Sequence, residues 1–204
     1  VHDLIRHGEF DTIYHQHLCY FSLHALQALF ARHGLYITDV QRLDIHGGSL
    51  RLFIGKRDEP AASVRQLLQD EVDAGVTSLE FYQGFADRID ANRDALISLL
   101  DKLKKEGARI AGYGAPAKAC TLMAYMGIGE NYLDYLDDKS QFKQGLFYSG
   151  NRLPIYSPEK LLEDAPEFAL LLPWNFAEEI MREQEQFRQQ GGKFVIPIPE
   201  LSIR

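Results

Sequence analysis

The chain has 204 residues, 46% hydrophobic and 25% charged, with a formal charge of -7 and only two cysteines. Collagen-like, disulfide-scaffold and disordered classes are excluded by that composition, and the acidic balance argues against a broad footprint for nucleic acid or anionic lipid. No apolar run, Phe168 to Leu172 included, approaches the roughly 18 residues of a membrane helix. Cys19 and Cys120 lack metal-pair spacing, so a reducing, cytoplasmic setting is expected, with no nucleic-acid or membrane partner. The start at Val1 shows no basic and apolar leader pattern, and the expectation is a chain cut from something longer.

Hydrophobic period divides the sequence into three parts: 1–60, 61–106 and 107–204. In the first, Ser22 followed by Leu23, Leu26, Leu29 and Phe30 predicts an N-capped helix ending at His33-Gly34. Tyr36 to Leu43 and Ser49 to Ile54 predict an antiparallel pair around Gly47-Gly48, closed by the charged break Lys56 to Pro60. In the second part, Val64, Leu67, Leu68, Val72, then Phe81, Phe85, Ile89, Leu96, Leu99, Leu100 and Leu103 recur at helical spacing. They predict one or two long helices, broken near Gly75 or Gly84, that serve as a connector. The third part alternates strands with helices: Arg109 to Gly112, a helix from Pro116, Tyr132 to Asp137, a helix over Pro158 to Glu163, Phe168 to Leu172, a helix from Asn175 to about Gln190, and Lys193 to Ile198. The fold class expected is therefore α/β: a Rossmann-like parallel sheet domain at the C-terminus, preceded by long helices and an antiparallel strand pair.

Between strand and helix, Gly112-Tyr113-Gly114-Ala115-Pro116-Ala117-Lys118 fits G-x-G-x-x-A. Gly112 and Gly114 allow backbone to approach a phosphate, the helix start offers N–H groups, and Lys118 adds a charge. Asp137 and Asp138, about 20 residues on, stand where an acid takes ribose hydroxyls, so NAD is also compatible. The plain alternative is an ordinary glycine turn, and Pro116 removes one donor. Lys143 and Arg152, in a glycine-rich polar loop, suit neutralisation of a pyrophosphate, although a solvated loop explains them equally. Trp174 and Asn175 follow a central strand at the end of the sheet where open α/β folds bind ligands, or Trp174 simply caps a helix.

The segment Glu9 to Tyr20 concentrates Tyr14, His15, Gln16 and His17. Zinc spacings are absent, so no metal is assigned. General-base chemistry suits a neutral-pH imidazole with a nearby donor for a developing oxyanion. His2, His7, His24, His33 and His46 are read as core or capping side chains.

Four blocks in order carry a family resemblance: Glu9 to Leu23, His46-Gly-Gly-Ser-Leu-Arg51, Gly112 to Lys118, and Leu172-Pro-Trp-Asn175. They resemble the S-adenosylmethionine-dependent sugar C-methyltransferases, which methylate nucleotide-linked 4-keto deoxysugars. The resemblance implies that residues 1–60 end the methyltransferase domain and 107–204 form a domain holding the nucleotide sugar. It also implies that S-adenosylmethionine and a zinc ion bind in a preceding half, leaving this fragment inactive alone. The family's Tyr-His-Glu-His motif falls on Tyr14 to His17, which implies His17 as general base with Tyr14 and position 16 in support. Gln16 replaces the family glutamate, and an amide cannot act as a base. Cys120-Thr121 likewise replaces the family's Asn-Thr. The alternative, from another class, is a non-catalytic Rossmann module that binds NAD or coenzyme A.

Overall fold

A computed structural model describes residues 1–43 and 47–204. The chain forms two compact units, one of Val1–Glu9 with His15–Arg88 and the other of Phe10–Tyr14 with Ile89–Arg204.

The first unit contains α1 (His2–His7), α2 (Leu23–Ala31), the antiparallel strands β1 (Tyr36–Leu43) and β2 (Ser49–Gly55), and α3 (Ala62–Asp73). Ser22 caps α2 as its spacing predicts, its hydroxyl accepting from the Ala25 N–H at 3.1 Å. Gly34 then leaves the helix at φ 67°, a conformation that a Cβ disfavours. Leu23 from α2, Ile37 and Val40 from β1, and Val64 and Leu67 from α3 form the core. Within it Glu71 is buried and accepts from the backbone N–H groups of Leu23 and His24 at 2.7 and 3.0 Å, with His24 Nδ1 at 2.8 Å. A carboxylate on α3 thus satisfies the start of α2, where orphan donors and the helix dipole favour negative charge. The two glycines before β2 have their own cause. A Cβ on Gly47 would stand 2.8 Å from the Glu9 carboxylate, and one on Gly48 would stand 2.6 Å from that of Asp3. His46 lies outside the described residues.

Gly75 and Gly84, at φ 80° and 74°, flank the break between α3 and α4 (Phe85–Lys105). From Ile89 onward α4 belongs to the second unit, where Leu96 and Leu100 are fully buried.

That second unit is built on six strands: β3 (Ile110–Tyr113), β4 (Leu136–Asp137), β5 (Ile155–Tyr156), β6 (Phe168–Leu171), β7 (Lys193–Ile196) and β8 (Ser202–Ile203). Their order is β5-β4-β3-β6-β7-β8, parallel throughout except for β8. Renumbered from its own first strand, the sheet reads 3-2-1-4-5-6, the Rossmann-like order, with the topological switch between β3 and β6. Ala169 to Leu172 are wholly buried, as expected of a central strand covered on both faces. The helices are α5 (Ala117–Met126), α6 (Glu159–Asp164), α7 (Ala177–Glu183) and α8 (Glu185–Gln189).

Several expected boundaries are corrected. The strand expected over Tyr132 to Asp137 retains only its last two residues, because Tyr132 and Leu133 turn back to the Gly129 carbonyl. The helix expected from Asn175 to Gln190 is instead a 3₁₀ turn (Trp174–Phe176) followed by α7 and α8, which meet at Gln184. The short edge strands β5 and β8 escape prediction, since two residues show no period. Among the described residues, no helix is long and apolar enough to cross a membrane.

Candidate functional site

Parallel sheets of this order present their ligand crevice beyond the carboxyl ends of the two strands at the switch, here β3 and β6. After β3, the chain turns at Gly114 (φ 79°) into Pro116, the N-cap of α5. A Cβ on Gly114 would lie 2.7 and 2.8 Å from Cδ and Cγ of Pro173, the second residue after β6. Gly112 has a different reason to be glycine: a Cβ there would meet Leu136 Cδ2 at 2.3 Å and Leu133 Cδ1 at 3.2 Å, inside the sheet's own packing.

The N–H groups of the turn point to carboxylates of the chain itself. Gly114 donates to Asp137 Oδ1 at 3.1 Å and Ala115 to Asp138 Oδ2 at 2.8 Å. Lys143 Nζ reaches both the Ala115 carbonyl and Asp138 Oδ2 at 2.9 Å, and the Tyr148 hydroxyl donates to the Pro116 carbonyl at 2.6 Å. Lys143 is therefore brought to the glycine turn, with its charge paired to Asp138. Asp137 and Asp138 sit side by side with opposite proton affinities. Burial pushes the Asp137 carboxyl well above the ordinary range against the Gly114 hydrogen bond, and its Oδ2 is buried without a partner. Burial acts on Asp138 in the same sense, but hydrogen bonds from the Ser140 N–H, Lys143 and the Ala115 N–H outweigh it and hold that carboxyl low. Each partner of Asp138 favours the charged form.

The other wall of the crevice begins with Trp174. Its Nε1 donates at 2.7 Å to Oδ2 of Asp11, a fully buried carboxylate on the 3₁₀ turn Phe10–Thr12. Lys118 Nζ, in the first turn of α5, lies 3.6 Å from the Trp174 ring centroid and 3.7 Å from Asp11 Oδ2. This is a cation–π contact and an ion pair on one ammonium. Burial raises the Asp11 pKa, and the Lys118 charge and Trp174 hydrogen bond pull it back. The turn is held on both sides: Phe10 packs on Tyr125 with centroids 5.1 Å apart, and the Thr121 hydroxyl donates to the Ile13 carbonyl at 3.3 Å.

The structure thus brings together Gly114, Lys118, Lys143 and Trp174 among the expected site residues, and adds Asp11. Sequence reading assigns Asp11 no role, although one acid between Phe10 and Ile13 is an available signal of a buried, paired carboxylate. Asn175 stands in the 3₁₀ turn, its Oδ1 buried without a partner. Arg152 is exposed on a left-handed backbone (φ 56°). Tyr14 is half-buried and belongs to the same unit as this cluster, whereas Gln16 and His17 are exposed and belong to the other unit. Among the described residues, no three His, Cys, Asp or Glu side chains gather to hold a metal ion.

Residues 44–199 match the family model described as the C-methyltransferase C-terminal domain. The chain is also 38% identical over 201 residues to the C-methyltransferase NovU of Streptomyces niveus, an alignment that covers 97% of this chain and 48% of NovU. It therefore spans about half the length of that curated relative. On the strength of the family match, this chain belongs to the C-methyltransferase C-terminal domain family.

Proposed function

We propose that the parent enzyme of this chain is an S-adenosylmethionine-dependent C-methyltransferase of the cytoplasm, acting on a nucleotide-linked 4-keto deoxysugar. The observation that carries the reading is the family match over 44–199, joined to the Tyr14-His15-Gln16-His17 segment that precedes it. The β3–α5 turn does not fit an adenosyl cofactor, because the Gly114 and Ala115 N–H groups are bonded to Asp137 and Asp138 and Pro173 fills the space beside Gly114. Its place, like that of a zinc ion, is assigned to a preceding half of the parent, and the fragment alone is inactive.

The residues of this chain act on the sugar. A ketone acidifies the adjacent C–H, and the exposed His17 imidazole removes that proton as a general base. The Tyr14 hydroxyl donates to the enolate oxygen as charge develops there. Gln16, with no acid-base capacity, contributes hydrogen bonding alone. When bound, S-adenosylmethionine would supply an electrophilic methyl group for the substrate carbon, its S–CH3 bond breaking to leave the neutral thioether S-adenosylhomocysteine. Arg152 provides positive charge for the diphosphate, and the buried Asn175 Oδ1 supplies an acceptor for a ligand donor.

The test is turnover of a dTDP-linked 4-keto deoxysugar by the full-length parent with S-adenosylmethionine. A product heavier by one methylene is expected, and His17→Ala should slow its formation about 10²- to 10⁴-fold, the usual worth of a general base. Unchanged turnover by the variant rejects the assignment.

A further inference from the structure

At the switch point of an open parallel sheet a ligand ordinarily occupies the crevice. In this unit the group that meets Trp174 and Lys118 is the chain's own Asp11. We propose that Asp11 is a positioning residue, which anchors the Phe10–Tyr14 turn to the ends of β3 and β6 so that the Tyr14 hydroxyl is held for its part in the reaction. This rests on the function proposed above. It also reassigns Lys118 and Trp174 from substrate contacts to members of the anchor.

Three observations support the anchor. A fully buried carboxylate is expensive, and its replacement by an apolar side chain of similar size is often neutral or stabilising. What the ion pair contributes is therefore location more than stability. The location it specifies is narrow, because Oδ2 of Asp11 receives the Trp174 Nε1 at 2.7 Å while the Lys118 ammonium lies against both that oxygen and the Trp174 ring. The remaining contacts act on neighbouring residues in the same sense: Phe10 against Tyr125, the Ile13 carbonyl on Thr121, and the Tyr14 N–H on the Thr12 carbonyl at 3.1 Å. The chain is thus fixed at residues 10, 11 and 13, and Tyr14 is the next residue along. A phenol that must meet an enolate oxygen at hydrogen-bond distance needs such a hold, since a displacement of about 1 Å costs on the order of 10²-fold in rate.

Two variants of the parent enzyme test this, Asp11→Asn and Trp174→Phe. The second keeps an aromatic ring for Lys118 and removes the N–H donor together with part of the indole. Amide hydrogen exchange in the segment 10–14 should accelerate about tenfold or more in both, while β3 and β6 exchange as in the wild type. The kcat should fall about 10- to 100-fold, with the KM for the sugar nucleotide within about twofold of wild type. Unchanged exchange over 10–14 overturns the anchor whether or not the enzyme turns over. Faster exchange with unchanged kcat overturns its catalytic purpose, and a raised KM with unchanged kcat returns Lys118 and Trp174 to substrate binding. An inactive wild type instead refutes the functional reading, and with it the purpose of the anchor.

Discussion

Gly114 is the position where backbone conformation and packing act together, and Gly114→Ala measures both. At φ 79° an alanine is forced into the left-handed region, which costs about 1–2 kcal/mol. Its Cβ would also stand 2.7 and 2.8 Å from two atoms of Pro173, a rigid ring that yields only if the backbone after β6 moves, which adds about 1–3 kcal/mol. Reduced freedom of the unfolded chain returns about 0.4–1 kcal/mol, leaving a net loss of about 2–4 kcal/mol. Gly107 isolates the first contribution, having φ 83° and open space within 4 Å of the position a Cβ would take; Gly107→Ala should cost about 1 kcal/mol once the unfolded-chain return is included. Urea unfolding followed by fluorescence of Trp174, the chain's single tryptophan, reports on the unit that holds both glycines. With a slope of about 2 kcal/mol per molar urea, the midpoint should fall by about 1–2 M for Gly114→Ala and by about 0.5 M for Gly107→Ala. Equal midpoints would refute the close approach of Pro173.

Glu71→Ala strands two backbone donors of α2 and removes the partner of His24. It should cost about 2–4 kcal/mol in urea unfolding, with Glu71→Gln losing roughly half as much because one acceptor remains. Asp137 and Asp138 should give opposite pH dependences. The Asp137 carboxyl holds its proton to higher pH in the fold than in the unfolded chain, so its contribution to stability declines as pH rises above the ordinary carboxylate range, and Asp137→Asn should remove that decline. Asp138 is held low, so it stabilises above the ordinary range and is lost as pH falls through its folded value; Asp138→Asn should abolish that loss. Urea midpoints between about pH 3 and pH 8 distinguish the two, and parallel profiles for the variants would contradict the assignment.

Much of the fold is legible in the sequence because its signals are local. Ser22 and Gly34 bound α2 within a few residues of where its apolar stripe begins and ends, and β1 and β2 alternate on either side of paired glycines. The βαβ rhythm after Arg109 leads to the parallel sheet because each buried strand is a short apolar run. What stays hidden depends on partners far along the chain. Glu71 reads as one more charge on α3 until Leu23 and His24 arrive from 48 and 47 residues away. Asp11 acquires its meaning from Trp174, 163 residues on. The glycine pattern of β3–α5 does mark a turn, yet Gly112 answers to Leu136 and the donors after it to Asp137 and Asp138. A pattern that records where backbone must come close does not say what it comes close to.

The proton removal proposed for His17 can be tested apart from methyl transfer. In deuterated water, without a methyl donor, the parent enzyme should wash deuterium into the carbon beside the ketone of a dTDP-linked 4-keto deoxysugar, followed by NMR. His17→Ala should slow that exchange about 100-fold or more. Exchange at the wild-type rate in the variant would contradict His17 as the base.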